Sequence, residues 1–410
     1  MVSFESVPNG SIISPKGFQA GAAACGLRSS GTGPDLALLY SDVPCTTAGV
    51  FTTLRIKAAP LLLTRRRVRR GLLRAVVANA GCANACTGPD GMLDAILTAQ
   101  LAARKLGVAA GEVAVASTGV VGVRLEMDRV RRGIDGVSMS PEGGHDFARA
   151  IMTTDTVPKE IALRGEIGGV PFTVAGAAKG AGMIHPDMAT MLAFITTDAA
   201  VDAGFLRQAL RRAVSTTFNM ITVDGDTSSN DTLLVMSSGL ADNAPLTGGE
   251  AGETFAQALE AVCWHLAVSI ARDGEGATRL IEVRVEGALS QAEARRAART
   301  IAGSNLVKAA VYGRDPNWGR VATALGRSRA RLNPSKLDIY LSTAQSRTKR
   351  EMCLMQGGTP HPFDKAEASA LLGEREVVFR VALNMGVESA TAWGCDLTPD
   401  YVTINSAYTT

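Results

Sequence analysis

Short apolar runs of β character alternate with windows of helical spacing along most of the chain, and this alternation restricts the fold more than any other feature of the sequence. Ala75-Val76-Val77 runs into the turn Ala78-Asn79-Ala80-Gly81 as a buried strand would. From Asp90 to Leu106 the residues Leu93, Ile96, Leu97 and Leu101 recur at helical spacing, and Gly107 stands where a helix is closed. Val113-Ala114-Val115-Ala116 is a further strand ending at Ser117-Thr118-Gly119, and Val170 to Ala175 is another. Phe205 to Val214 and Phe255 to Arg272 read as amphipathic helices. After Gly276 the pattern resets. Ile281, Val283 and Val285 alternate with charged residues as in a half-buried strand, and Ser290-Gln-Ala-Glu293 is a capping box that opens a helix. Leu306 to Tyr312 and Val377 to Leu383 read as strands, so a smaller β-α-β domain is expected from about residue 280 to 390. The expected class is mixed α/β with more than one layer.

Composition removes several function classes. The 410 residues are 46% hydrophobic and 20% charged, with a net charge of +3, so no strong field draws nucleic acid. The one basic run, Arg65-Arg66-Arg67-Val68-Arg69-Arg70, has no interleaved aromatic residues and reads as a solvated helix end. No apolar stretch of about 18 residues marks a membrane span, and the first residues lack a basic segment followed by an apolar core. Seven scattered cysteines suit reduced thiols, and the expected compartment is the cytoplasm. Cys82 and Cys86 have no partner pair at zinc spacing, so no metal is expected. Phosphate-loop, dinucleotide and serine-elbow motifs are absent, which disfavours ATP, NAD and serine-triad chemistry.

Chemistry concentrates instead in Lys179-Gly-Ala-Gly-Met-Ile-His-Pro-Asp-Met-Ala-Thr190-Met-Leu. The Ala189–Thr190 bond has a small residue before it and a hydroxyl after it. Such a hydroxyl can attack the preceding carbonyl, shift the acyl group from nitrogen to oxygen, and release it by hydrolysis. Thr190 would then carry a nucleophile and a base on one residue, because a free α-amine has a pKa of about 7.7–8.0. The bland alternative is a buried strand over Met191 to Ile195, which suits the same residues. His185, beside Pro186 and without a clear orienting partner, reads as structural.

Four further segments are richer in glycine and polar groups than packing demands. Asn79 to Gly88 reads as a turn with donors at its tip, and Ser117-Thr118-Gly119 offers amides after a strand that suit an oxyanion hole. Asp224 to Asp231 resembles a calcium loop but lacks the closing Glu, so turn and cap duty is the reading there. Ala271 to Arg279 lies at a helix end, and Gly274-Glu-Gly276 within it suits a C-cap.

Together these segments resemble the ornithine acetyltransferase family, the glutamate N-acetyltransferases of arginine biosynthesis. The resemblance runs from near the N-terminus to the last residue. It rests on KGAGMIHPDMATML around Thr190, GDTSSNDT at 225–232, ARDGEGATR at 271–279, GRDPNWGR at 313–320 and WGCDLTPDYVTIN at 393–405. It implies a layered α-β-β-α sandwich shared with self-processing aminopeptidases. It also implies a chain cut between Ala189 and Thr190 into an α-chain of residues 1–189 and a β-chain of 190–410, assembled as a heterotetramer with two copies of each. Within the β-chain, 190–279 would complete the core, about 280–390 the smaller domain, and 391–410 a tail returning to the active site. Thr190 is implied as nucleophile, Thr118 and Gly119 as oxyanion donors, and Thr153, Lys179, Thr190, Glu275, Asn405 and Thr410 as substrate-binding.

The implied reaction moves an acetyl group from N-acetylornithine to glutamate through an acetyl-threonine, giving ornithine and N-acetylglutamate. No cofactor is needed, and acetyl-CoA as a second donor stays open, as in bifunctional members. Two alternatives stand beside it, a self-processing aminopeptidase or amidase of the same fold and a non-catalytic amino-acid-binding protein. The sequence departs from the family pattern at Ala80, Cys82, Ala181 and Asp187, none of them an implied nucleophile or ligand. Cys82 would be oxidisable if exposed.

Overall fold

The computed structural model describes residues 4–28, 33–185, 191–344 and 351–407. Its first part contains β1 (Glu5–Ser6), β2 (Phe18–Ala23), β3 (Leu36–Phe51), α1 (Ala59–Val68), β4 (Leu72–Cys82), α2 (Gly88–Leu106), β5 (Val113–Val120), α3 (Met127–Gly136) and α4 (Gly143–Ala150). It continues with β6 (Lys159–Ile167), β7 (Val170–Lys179), β8 (Leu192–Thr197), α5 (Ala203–Thr216), β9 (Thr232–Ser237) and α6 (Gly249–Arg272). Among the described residues these strands make a nine-stranded sheet in the order β1-β6-β7-β8-β9-β3-β4-β5, with β2 also on β3.

The long strand β3 turns this sheet into two facing layers. Its first half, Leu36–Tyr40, pairs with β4, and its second half, Thr46–Phe51, pairs with β9. The register breaks between Tyr40 and Cys45, where Pro44 cannot donate to a ladder. Side-chain alternation then sorts the layers. Ala37 and Leu39 of β3, Val76 and Ala78 of β4, and Ala114 and Ala116 of β5 share one apolar core with Leu192 and Phe194 of β8 and Leu234 and Met236 of β9. The alternate residues point outward. Leu36, Leu38, Val77 and Val115 pack on Ala95 and Ala99 of α2 and Ile134 of α3, whereas Ile195 and Val235 pack on Leu210 of α5 and on Phe255, Leu259 and Val262 of α6. The result is the α-β-β-α sandwich. Helix α4 plugs the space between the sheet halves, with Phe147 edge-on to Phe194 at 5.3 Å between ring centroids.

The second part contains β10 (Leu280–Ala288), α7 (Gln291–Ala302), α8 (Asn305–Tyr312), α9 (Trp318–Gly326), β11 (Asp338–Thr343), β12 (Met352–Gln356), β13 (Thr359–Pro360), α10 (Lys365–Leu372), β14 (Glu376–Ala382), β15 (Glu388–Cys395) and α11 (Pro399–Ala407). Its six strands order as β13-β12-β11-β14-β10-β15, with β10 parallel to β14 and antiparallel to β15. Ser290 caps α7, its Oγ accepting the Glu293 amide at 3.4 Å. Leu306 to Tyr312 is helical, not a strand. Val307, Ala310 and Val311 bury one face at helical spacing, a pattern that a short apolar run shares with a strand.

Two other expectations change. Helix α6 has the length and apolarity of a membrane span, but 61% of its most apolar window is buried inside the protein. The basic run at the end of α1 is not wholly solvated, since Arg67 is buried and its guanidinium donates to the Val113 carbonyl.

Candidate active site

Five separate segments end at one place. β5 ends through Thr118 and Gly119, β7 ends at Lys179, the loop after α4 carries Thr153, the loop after α6 carries Glu275, and α11 carries Asn405. All six of these residues line a single cavity of about 120 Å³. Ala189, Thr190 and Thr410 lie outside the described residues. The chain re-enters the sheet close by, because Leu192, the first residue of β8, pairs directly with Lys179. Met191 is fixed from both sides. Its amide donates to Asp231 Oδ1 at 3.1 Å, and its carbonyl accepts from the Thr232 amide at 3.1 Å.

Glycine is required at Gly119, which has φ of +126°, and a Cβ there would stand 2.3 Å from the Gly81 carbonyl carbon. This close approach accompanies the bulge between β4 and β5 at Cys82. Next to it, Lys179 Nζ donates to Thr118 Oγ1 at 3.4 Å. Lys179 is 3% exposed, and burial pulls its ammonium below the ordinary lysine range while the Asp155 carboxylate opposes that shift.

Glu275 supplies the opposite charge. Its amide donates to the Ala181 carbonyl at 2.9 Å, and its carboxylate accepts from Asn405 Nδ2 at 2.7 Å. Gly182 makes room for it, since a Cβ at 182 would lie 2.3 Å from the carboxyl carbon. Helix α11 is tied down beside this pair. Thr398 Oγ1 donates to the Gly276 carbonyl at 2.7 Å, and the Tyr401 hydroxyl donates to Asp224 Oδ2 at 3.3 Å. Asp224 also accepts the Met183 and Ile184 amides, the turn duty expected of that segment.

Behind the cavity lies a buried ion cluster that the sequence reading missed. Asp155 accepts from Lys159 Nζ at 2.6 Å, from the Gly180 amide at 2.7 Å and from the Thr153 amide at 3.0 Å. Lys159 Nζ also donates to Asp273 Oδ2 at 2.6 Å. Burial alone would raise the Asp155 pKa, but the Lys179 and Lys159 ammonium groups and these donors hold it below the usual carboxylate range. One cluster therefore ties together the segments bearing Thr153, Lys179 and Glu275. Its members are distant in sequence, and of the two aspartates only Asp273 stands in a segment singled out from the sequence, Ala271 to Arg279.

Asn230 was also missed, although it stands in a quoted motif. Its Nδ2 donates to the Ala83 carbonyl at 2.7 Å and to the Ser117 carbonyl at 2.8 Å, clamping the ends of β4 and β5 to the start of β9. The Asn79–Gly88 turn differs from expectation because its donors point inward. Asn79 Nδ2 donates to the Cys82 carbonyl at 3.0 Å and Asn84 Nδ2 to the Gly91 carbonyl at 2.8 Å, both residues being buried. Cys82 is buried as well, and burial raises its thiol pKa, which does not suit an oxidisable site. His185 does not line the cavity, and its Nδ1 lies 3.2 Å from Thr222 Oγ1.

The arrangement offers a buried cation, Lys179, and an anion, Glu275, in the lining of one small cavity, together with short polar groups. That pattern is complementary to an amino acid, whose carboxylate and amine carry the opposite charges. Comparison with known proteins shows the family. The ArgJ family model matches residues 19–410. The arginine biosynthesis bifunctional protein ArgJ of Symbiobacterium thermophilum is 56% identical over 405 residues, which cover 98% of this chain and 99% of that protein. Among solved structures, the arginine biosynthesis bifunctional protein ArgJ of Bacillus halodurans is 46% identical, covering 52% of this chain and 97% of that one with a TM-score of 0.49. The ornithine acetyltransferase of Mycobacterium tuberculosis, solved complexed with ornithine, is 41% identical, covering 45% of this chain and 98% of that one with a TM-score of 0.41. A family model spanning nearly the whole chain and a relative of this identity over almost full length have one meaning: the chain belongs to the ArgJ family.

Proposed function

We propose that this chain is a self-cleaving acetyltransferase of arginine biosynthesis, and that the cavity between Lys179 and Glu275 holds its amino-acid substrates. The observation that carries the reading is the convergence of Thr118, Gly119, Thr153, Lys179, Glu275 and Asn405 on one cavity, beside the point where the chain re-enters the sheet two residues after Thr190. Scission of the Ala189–Thr190 bond frees the Thr190 α-amine. That amine takes the proton of the Thr190 hydroxyl as Oγ attacks the acetyl carbonyl of N-acetylornithine. Thr118 and Gly119 hold the oxyanion. The amine then returns the proton to the departing nitrogen, ornithine leaves, and Thr190 keeps the acetyl group as an ester. Glutamate enters the same cavity, and its amine collects the acetyl group as N-acetylglutamate. Lys179 pairs with the substrate carboxylate, while Glu275 pairs with an amine and is itself held by Asn405. Thr410 joins them as a further polar contact.

The reading needs no metal or cofactor. Acetyl-CoA as a second donor would make the enzyme bifunctional, as the name of the Symbiobacterium relative states for that protein. The cut chains assemble as two copies of each, and the cytoplasm is the proposed compartment. The test is an assay of acetyl transfer from N-acetylornithine to glutamate, beside one with acetyl-CoA as sole donor. Transfer that disappears in Thr190→Ala supports the reading, whereas release of free acetate without transfer favours the aminopeptidase-like alternative.

A further inference from the structure

A second cavity, of about 560 Å³ against about 120 Å³ for the first, lies between the α5–α6 layer of the sandwich and the α7–β15 side of the second part. The two cavities share no lining residue. Helical periodicity builds the larger one. Gln257, Glu260 and Trp264 recur at three- and four-residue spacing on α6, and Gln291 and Arg295 stand four apart on α7, so each set faces one way. The acetyl-transfer chemistry uses none of them.

One wall is aromatic. Trp264 packs edge-on against Trp393, with ring centroids 6.5 Å apart and planes at 74°, and is left 41% exposed. Trp393 is buried, and its Nε1 donates to Glu282 Oε2 at 3.3 Å, so the pair is a fixed indole wall with ring surface of Trp264 uncovered. Gln291 Nε2 donates to the Ser389 carbonyl at 2.9 Å and ties α7 to β15 across the rim. Glu260 and Arg295 are the charged residues of the lining. They do not pair with each other. Among the described residues the Arg295 guanidinium has neither a carboxylate partner nor a hydrogen-bond acceptor. Glu260 Oε1 accepts from Thr216 Oγ1 at 2.6 Å, and the Arg212 guanidinium that also acts on Glu260 is held by Glu253 at 2.6 and 2.8 Å.

A cation and an anion that share a cavity without pairing favour a ligand that carries both charges. A dianion would meet Glu260, a simple cation would meet Arg295, and a neutral hydrophobe would cover both charges and pair neither. A zwitterion satisfies both. Since the lining holds no further charge, the rest of the ligand is uncharged, and the open indole face suits a ring. We propose that this cavity is a second amino-acid site, apart from the Lys179–Glu275 cavity, for a free α-amino acid with an uncharged aromatic side chain. Arg295 takes the α-carboxylate, Glu260 takes the α-ammonium, and the ring lies on Trp264. The site needs no residue of the acetyl-transfer machinery.

Isothermal titration of the full-length protein with L-phenylalanine, L-tyrosine and L-tryptophan, each alone, tests the assignment. At least one is expected to bind with a Kd of about 1 mM or lower. For the ligand that binds, Arg295→Met and Glu260→Gln should each raise Kd about tenfold or more, and Trp264→Leu should do the same. Thermal midpoints of the three variants should match wild type; should Arg295→Met lower its midpoint, Arg295→Gln is read in its place. Two probes that each lack one charge complete the test. L-phenylalanine amide has no carboxylate and 3-phenylpropionate has no amine, and both should bind about tenfold more weakly than L-phenylalanine. Absence of binding by all three amino acids at about 10 mM overturns the proposal. So does a Kd unmoved by Arg295→Met and Glu260→Gln, because the ligand then sits elsewhere, the Lys179–Glu275 cavity included. A weakening confined to one of those two variants, or a one-charge probe that binds as tightly as L-phenylalanine, refutes the zwitterion.

Discussion

Replacing Asp155 with Asn removes one charge and almost no volume, and it strikes the cluster that joins three substrate-facing segments. The carboxylate is fully buried and accepts three hydrogen bonds, from Lys159 Nζ and from the Gly180 and Thr153 amides. An asparagine keeps one acceptor oxygen and turns an NH2 toward a donor, so at least one amide loses its partner at about 1–3 kcal/mol. Lys159, its side chain 1% exposed, keeps Asp273 as a carboxylate partner and the Val157 carbonyl at 3.4 Å. Breaking one side of a buried ion pair costs about 3–5 kcal/mol. These costs overlap, so about 3–5 kcal/mol is the expected total, a drop of several degrees in the thermal midpoint. The control is Asp146→Asn, which breaks the Arg149–Asp146 pair whose side chains are 56% and 46% exposed, and which is expected to cost about 0–1 kcal/mol. Denaturant unfolding followed by tryptophan fluorescence measures both.

The pH dependence has a definite sign. Because the folded pKa of Asp155 is depressed, its stabilisation is present above the ordinary carboxylate pKa of about 3.9 and is lost as pH falls through the lower folded value. The gap between wild type and variant should stay constant from about pH 7 to pH 5 and close below about pH 4. An Asp155→Asn chain within about 1 kcal/mol of wild type at neutral pH refutes the reasoning, because no buried charge would then have been stranded.

Other changes probe other links. Gly182→Ala places a Cβ into the Glu275 carboxylate and should raise KM for glutamate about tenfold with little change in unfolding. Phe194→Ala opens the core between the two sheet halves, against Phe147, and should cost about 3–5 kcal/mol in a chemical melt. Lys179→Met keeps length but removes the buried ammonium; steady-state kinetics should show KM for both amino acids rising at least tenfold, and an unchanged KM would remove Lys179 from the carboxylate site.

Local patterns carried the sequence reading where they were long or capped. Asp90 to Leu106 falls inside α2, and the Ser290 cap is in place at α7, because helical spacing and a hydroxyl before Glu293 act over a few residues. Leu306 to Tyr312 failed for the opposite reason, being too short for its apolar residues to distinguish a strand from a helix. The bend in β3 that makes two layers depends on different partners for its two halves, which no local window reveals. Thr118 and Gly119 were legible as amides after a strand, whereas Thr153, Lys179, Glu275 and Asn405 were legible only through the family resemblance. Lys159, Asp155 and Asp273 stayed hidden because a buried ion cluster joins residues 114 positions apart by contact, not by spacing. Asn230 and Asp231 stood in plain view in GDTSSNDT, but their polarity suggested a surface turn and their burial could not be read.

The account depends on an acetyl group resting on a threonine that the chain itself exposes. Mass spectrometry of the purified protein incubated with N-acetylornithine and no glutamate tests this most directly. The account predicts two chains, one ending at Ala189 and one beginning at Thr190, with the peptide that begins at Thr190 heavier by one acetyl group and restored when glutamate is added. A single intact chain that still transfers acetyl groups, or a cut chain that turns over without ever carrying the acetyl group on that peptide, would contradict it.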